Sequence, residues 1–285
     1  MVITPVLVSH PDQLSFSVGN REPLMLIAGP CVLESEDLAR HIAAVMKEIC
    51  RRLGISYVFK SSFDKANRTS VSSFRGPGIK KGLHILGRIR EEVGVPVVSD
   101  IHEPAQAEMA AESLDIIQIP AFLCRQTDLL TAASVTGKPI NLKKGQFVSP
   151  WDMKHAVNKI RESGSSQVIL VERGTCFGYN NLVVDIRGLP VMQKFDCPVI
   201  YDATHSVQLP GGAGNRSGGQ REFIPHLSRA AVAAGVDGLF MEVHPEPDNA
   251  LCDGPNSIRL DDIESILRQL VAIRSCMSES TVNSI

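Results

Sequence analysis

Short apolar runs recur along the chain at regular intervals, with polar-punctuated stretches between them. The runs are LMLIAG (24–29), YVFK (57–60), PVVSD (96–100), IIQI (116–119), PINLK (139–143), QVILVE (167–172), PVIYDA (198–203) and GLFMEV (238–243). Each is short, β-branched and nearly continuous in its apolar character. That pattern belongs to strands covered on both faces, the habit of parallel sheets.

The intervening segments place apolar residues at helical spacing. SEDLARHIAAVMKEICRRLG opens on Ser35 as an N-cap and closes at Gly54. KGLHILGRIREEVG, PAQAEMAAES, QTDLLTAASVTG, PWDMKHAVNKIRESG, IPHLSRAAVAAG and LDDIESILRQLVAIRSCM follow the same rule. Eight strand-then-helix units predict an α/β fold, a (β/α)8 TIM barrel, with a doubly wound open sheet as the alternative. No Pro-, Ser- or charge-rich linker divides the chain, so 1–285 reads as a single domain. Within 1–20, PVLVSHPDQLSFSVG alternates and turns at His10–Gln13, predicting a small hairpin that plugs the bottom of the barrel.

Composition narrows the classes. The chain is 44% hydrophobic and 21% charged, with a net charge of −2, so nothing marks a nucleic-acid binder. No apolar run is long enough for a bilayer, and the N-terminus has no basic head followed by a greasy stretch. Seven cysteines, an odd number without CxxC spacing, point to a reducing cytoplasm rather than a disulfide scaffold.

In such a barrel, catalytic groups sit at the carboxyl ends of the strands. There the chain reads GPC, KSSFDKANRTS, SDIHEP, QIPAF, KKGQF, ERGTCFGYNN, DATHS and EVHPEP. Four cations fall in this set, Lys60, Lys65, Lys143 and Arg173, with Arg68 and Lys144 close by. Buried lysines need partners. With fewer carboxylates of the chain's own expected there, a phosphate or carboxylate ligand is one partner; a neighbouring Asp or Glu is the other.

Cys31, His205, Glu242 and Asp253 form a second group, which barrel closure brings to one part of the rim. Thiolate, imidazole and carboxylates suit a divalent cation of the Fe²⁺, Zn²⁺ or Mn²⁺ class. Each also has a structural reading: packing for Cys31, a hydrogen-bonded imidazole for His205, a lysine partner for Glu242 and a turn for Asp253. The residues alone leave both open. QLPGGAGNRSGGQRE (208–222) lacks a P-loop or dinucleotide fingerprint and reads as a flexible lid or a surface loop.

The words KSSFDKANRTS, FRGPG, IQIPAFLCRQTDL, KKGQF, ERGTCFGYNNLVVD, DATHS and DGPN together resemble the 3-deoxy-D-manno-octulosonate 8-phosphate synthases, over about residues 24 to 270. The resemblance implies a transferase that condenses phosphoenolpyruvate with D-arabinose 5-phosphate and water for lipopolysaccharide core biosynthesis, without an organic cofactor. It implies a phosphoenolpyruvate clamp of Lys60, Lys65, Lys143 and Arg173, lined by Gln118, Pro120, Ala121 and Gln146. It implies sugar-phosphate binders at Asn67, Arg68 and Thr69, and Asp100 on the sugar hydroxyls. Lys60, Lys143, His205 and Glu242 become the catalytic candidates. Phe122 and Arg125 match residues that reach a neighbouring subunit, which implies a homotetramer.

The resemblance also gives Cys31 a meaning. One class of the family has Asn there and needs no metal; the other has Cys and holds a divalent ion with His, Glu and Asp. AGPC places this chain with the metal-using class, whereas CDGP, with Cys252, is the wording of the metal-free class. Three rivals remain: the seven-carbon synthases that take erythrose 4-phosphate, a sugar-phosphate binding protein on a barrel without activity, and a Schiff-base aldolase with a strand-end lysine.

Overall fold

The computed structural model describes residues 3–10, 13–19, 22–211 and 218–279. A hairpin of β1 (Val6–His10) and β2 (Gln13–Val18) precedes eight parallel strands. These are β3 (Met25–Gly29), β4 (Ser56–Lys60), β5 (Val97–Asp100), β6 (Ile116–Ile119), β7 (Ile140–Lys143), β8 (Val168–Glu172), β9 (Val199–Asp202) and β10 (Gly238–His244). Each pairs with the next in sequence, and β10 pairs with β3 through Gly238↔Met25, Phe240↔Ile27 and Glu242↔Gly29. The sheet therefore closes, and the open doubly wound alternative is excluded. All eight strands lie where the apolar runs place them.

Among the described residues, eight helices surround the barrel: α1 (Glu36–Leu53), α2 (Ile79–Ile89), α3 (Ala107–Ser113), α4 (Thr127–Val135), α5 (Met153–Glu162), α6 (Gly188–Gln193), α7 (Ile224–Ala233) and α8 (Ile263–Glu279). Ser35 caps α1, its hydroxyl accepting from the Leu38 amide, and Gly54 ends the helix in the left-handed region at φ +66°. Helix α6 is the one the sequence does not announce. It has six residues with Pro190 inside, too short for a helical period to register, and it buries only Gly188, Leu189 and Met192.

The two-residue period of the strands divides the core. Residues pointing outward, among them Leu26, Phe59, Val97, Ile117, Leu142, Leu170, Tyr201 and Met241, pack under the helices. Those pointing inward, Met25, Ile27, Val58, Val98, Ile116, Ile169, Val171, Ile200 and Phe240, fill the barrel. Val6, Val8 and Val18 of the hairpin join this inner cluster, so the hairpin closes the amino-terminal end of the barrel as expected. Its residues 11 and 12 fall outside the described part. Among the described residues no helix is long and apolar enough to cross a membrane.

Candidate active site

The same period places the chemistry. Moving two residues toward the carboxyl end from an inward apolar residue reaches the next inward position. That step leads from Val58 to Lys60, Val98 to Asp100, Ile116 to Gln118, Val171 to Arg173, Ile200 to Asp202 and Phe240 to Glu242. On β7 it leads from Asn141 to Lys143. The top layer of the barrel is thus polar and ionic where the layers below are apolar except for Asn141, and the top layer is buried. Gly29 allows close approach there, since a Cβ on it would lie 2.0 Å from the Lys60 carbonyl oxygen.

Above this layer opens a cavity of about 620 Å³. Its walls include Lys60, Lys65, Asn67, Arg68, Thr69, Asp100, Gln118, Pro120, Ala121, Phe122, Lys143, Gln146, Arg173, His205 and Asp253. Cys31 and Glu242 lie buried beside it. Arg125 is exposed and outside the cavity of this chain, and Phe122 stands half-exposed at the lip. Of the lid stretch, Gln208–Leu209 pairs with Gly218–Gly219; residues 212–217 lie outside the described part, so the expected lid is described only at its base.

Two expectations are corrected. Lys144 does not join the rim cations: it is fully buried and donates to the carbonyls of Gly145, Val148 and Gly174 and to Thr175 Oγ1, with Glu172 3.4 Å away. Its role is to tie loops together. The expected shortage of carboxylates is also wrong. Asp100, Asp202, Glu242 and Asp253 converge with Lys60, Lys65, Lys143 and Arg173, because the inward period delivers acids and bases alike.

Asp202 is the hub that sequence reasoning missed. Its Oδ2 accepts from Lys143 Nζ at 2.6 Å and lies 2.8 Å from His205 Nδ1, while Oδ1 accepts from the His205 amide at 3.0 Å. Burial alone would raise this carboxyl, but His205, Lys143 and Arg173 hold it well below the usual carboxylate range. The only signal in sequence was its position in DATHS, at a strand end three residues before His205. His102 and Ser62 were missed likewise: both bond Asp100, His102 through Nε2 at 2.9 Å. Gln208 links Arg173 Nη2 at 3.1 Å to Asp253 Oδ1 at 3.3 Å.

The cations are held at a cost. Burial pulls the Lys143 ammonium and the Arg173 guanidinium below their usual ranges; for Lys143 the charges of Lys60 and Arg173 add to this, and Asp202 opposes it. Lys143 Nζ also sits 3.7 Å from the centre of the Phe240 ring. Arg173 Nη1 and Gln146 Oε1 are buried without a hydrogen-bond partner. Buried donors and acceptors left over in this way are what a bound polar ligand satisfies.

The second group converges as well. His205 Nε2 lies 3.3 Å from Glu242 Oε1 and 3.7 Å from Asp253 Oδ2, and Cys31 Sγ lies 3.5 Å from the same Asp253 oxygen. Glu242 is fully buried, yet neither oxygen accepts a well-aligned hydrogen bond; Lys60 Nζ is 3.7 Å away. Burial, Cys252 and Glu242 together push the Cys31 thiol well up. A crowded thiol beside an under-satisfied carboxylate fits a cation, which relieves both. The other pole of His205 is already oriented by Asp202, the carboxylate–histidine arrangement typical of imidazole ligands.

Residues 6–279 match the profile of the DAHP synthetase I family. The chain belongs to that family. A 2-dehydro-3-deoxyphosphooctonate aldolase from Desulfotalea psychrophila is 67% identical over 278 residues, covering 98% of this chain and 99% of its own length. Proteins with the same name from Synechococcus sp. and Geobacter sp. are 59% and 61% identical, over 93% and 92% of this chain and 93% and 96% of their own lengths. The barrel and its ionic upper layer are therefore those of a DAHP synthetase I family member, and the resemblance seen in KSSFDKANRTS and KKGQF extends over nearly the whole chain.

Proposed function

We propose that this chain is a 3-deoxy-D-manno-octulosonate 8-phosphate synthase. It condenses phosphoenolpyruvate with D-arabinose 5-phosphate and water, giving the eight-carbon phosphosugar acid and inorganic phosphate for the lipopolysaccharide core. The name of the relatives, 2-dehydro-3-deoxyphosphooctonate aldolase, supports the eight-carbon product. One observation carries the reading in this molecule: Arg173, which lines the cavity together with Lys143, keeps its Nη1 buried without a hydrogen-bond partner. A dianionic phosphate is the ligand that such a pair of cations favours.

In this reading Lys60, Lys65, Lys143 and Arg173 neutralise the phosphate and carboxylate of phosphoenolpyruvate, with Gln118, Pro120, Ala121 and Gln146 around it. Asn67, Arg68 and Thr69, at the outer wall, take the sugar phosphate, and Asp100 receives the sugar hydroxyls. Holding the two substrates face to face contributes up to about 7–11 kcal/mol of the barrier. C3 of phosphoenolpyruvate bonds to the aldehyde carbon, and the aldehyde oxygen takes a proton. Water adds at C2 and loses a proton; the C2–O bond to phosphate then breaks with its electron pair leaving on phosphate, as the new hydroxyl gives up its proton to the departing phosphate and C2 becomes the ketone. His205, held by Asp202, and Glu242, 3.3 Å from it, are the groups assigned to accept that water proton.

Cys31, His205, Glu242 and Asp253 are the residues that would hold a divalent ion. Such an ion, when bound, supplies positive charge that orients the aldehyde or acidifies a water. The exposure of Phe122 and Arg125 supports a homotetramer in which they serve a neighbouring subunit's site. The biosynthetic role and the free thiols support a cytoplasmic location.

Phosphate release from phosphoenolpyruvate tests the function. Release with arabinose 5-phosphate, and little with erythrose 4-phosphate, is expected. The reverse preference assigns the seven-carbon reaction, and release with neither sugar removes the proposal. Borohydride trapping of a substrate on the enzyme would instead support the Schiff-base rival.

A further inference from the structure

We infer that Cys252 is a second sulfur donor of the proposed cation site, so that the chain offers a divalent ion two thiolates instead of one. The inference rests on the metal reading above and deepens it. Cys252 Sγ lies 2.9 Å from Cys31 Sγ. Donor atoms of Cys31, Cys252 and Asp253 all fall within 4.8 Å of one another, as do those of His205, Glu242 and Asp253. Asp253 is common to both trios: its Oδ2 lies 3.5 Å from Cys31 Sγ and 3.7 Å from His205 Nε2, so the trios meet at that carboxylate oxygen.

Three features separate Cys252 from a thiol that merely packs. Its sulfur is buried but faces polar atoms: Arg68 Nη1 donates to it at 2.8 Å, and Asp253 follows it in sequence. Both cysteines are free, so neither sulfur is consumed by a disulfide. The backbone also fixes the pair. Asp253 adopts φ +49°, a left-handed conformation uncommon outside glycine, and a Cβ on Gly254 would lie 2.2 Å from the Pro247 carbonyl oxygen. This tight turn presents Cys252 and Asp253 to the site together.

The chemical consequence is selectivity. A donor set with one sulfur and three harder ligands accepts Mn²⁺ as readily as its geometry allows. A second thiolate shifts preference toward Zn²⁺ and Cd²⁺, which bind sulfur more strongly. Arg68 then moves from Cys252 to the sugar phosphate for which the cavity wall places it.

Cobalt(II) added to the full-length protein, freed of metal, tests this through the sulfur-to-cobalt charge-transfer absorption. Cys252→Ser is expected to lose about half of the wild-type intensity, and Cys31→Ser a similar share. An unchanged spectrum in Cys252→Ser, with the band lost in Cys31→Ser, overturns the inference and leaves the metal reading standing. No charge-transfer band in the wild type overturns both. Cd²⁺ affinity should fall at least about tenfold in Cys252→Ser while Mn²⁺ affinity stays within about twofold; equal losses for both ions count against a sulfur donor. The cadmium NMR shift of the wild type needs no variant: a two-sulfur shift supports the inference, and a one-sulfur shift overturns it.

Discussion

Asp202 is shared by Lys143 and His205: one carboxylate oxygen lies 2.6 Å from the ammonium and 2.8 Å from the imidazole Nδ1. The acid thus joins Lys143, one of the cavity-lining cations, to the histidine that lies within 3.3 Å of Glu242 and 3.7 Å of Asp253. Asp202→Asn keeps the shape but removes the charge. Lys143 is then left between Lys60 and Arg173 without its anion, and His205 loses the partner that fixes its ring. Turnover in the phosphate-release assay is expected to fall by about 10- to 100-fold, the scale for losing the partner that orients a ligand. The melting temperature should fall too, because an unpaired buried charge remains. Wild-type turnover in Asp202→Asn would contradict the shared role.

Arg173 makes a different prediction. Its Nη2 donates to Gln208, and its Nη1 is left over for a ligand. Arg173→Lys keeps one positive charge but cannot serve both directions, since an ammonium lacks the planar fork. The KM for phosphoenolpyruvate is expected to rise about tenfold or more, while the KM for the sugar phosphate stays nearly constant. Steady-state kinetics with each substrate varied in turn reads this split. Equal rises in both constants would place Arg173 outside the phosphoenolpyruvate subsite.

How much of this was legible in the sequence follows from the kinds of signal involved. The eight strands announce themselves because a buried parallel strand has no polar face to hide its apolar run. The site residues announce themselves because they sit one inward step beyond those runs, as Val58 then Lys60 and Phe240 then Glu242 illustrate. Asp202 occupies an equivalent position but carries no signal of its own, because its significance lies in the contact with Lys143, two strands away. That contact joins positions 59 residues apart, which no local pattern encodes. The balance of charges failed for the same reason: pairing depends on which strand ends meet. Lys144 shows the opposite error, since a lysine next to Lys143 points to the other side of its strand. Helix α6 was missed because six residues with an internal proline carry no period.

The hairpin provides a prediction about stability alone. Val8 is fully buried in the inner cluster at the closed end of the barrel, with Val6 and Val18 beside it. Val8→Ala removes two methyl groups and leaves a void between the hairpin and the strands. A loss of about 2 kcal/mol is expected, seen as a lower melting temperature. The kinetic constants should not change, since the ionic layer lies at the other end of the strands. A change in KM without a change in melting temperature would show that the hairpin communicates with the site.

Metal removal examines the group formed by Cys31, His205, Glu242 and Asp253. Incubation with a strong chelator is expected to abolish phosphate release, and Mn²⁺ or Fe²⁺ should restore it. Glu242 explains why the loss should be large: its carboxylate is fully buried and its oxygens accept no well-aligned hydrogen bond. Its charge is nonetheless favoured. Burial would raise this carboxyl, but His205, Lys65 and Lys60 hold it well below the usual range. Without a cation, this charge is expected to draw in Lys60, 3.7 Å away, and His205, 3.3 Å away. Cys31→Asn substitutes a neutral amide for the sulfur and relieves the crowding against Cys252. Bound metal, read by elemental analysis, should fall to a small fraction of the wild-type content, while some turnover remains that chelators no longer affect. Full activity of the wild-type protein in excess chelator would remove the metal from the reaction and leave the quartet as a network of hydrogen bonds and charges.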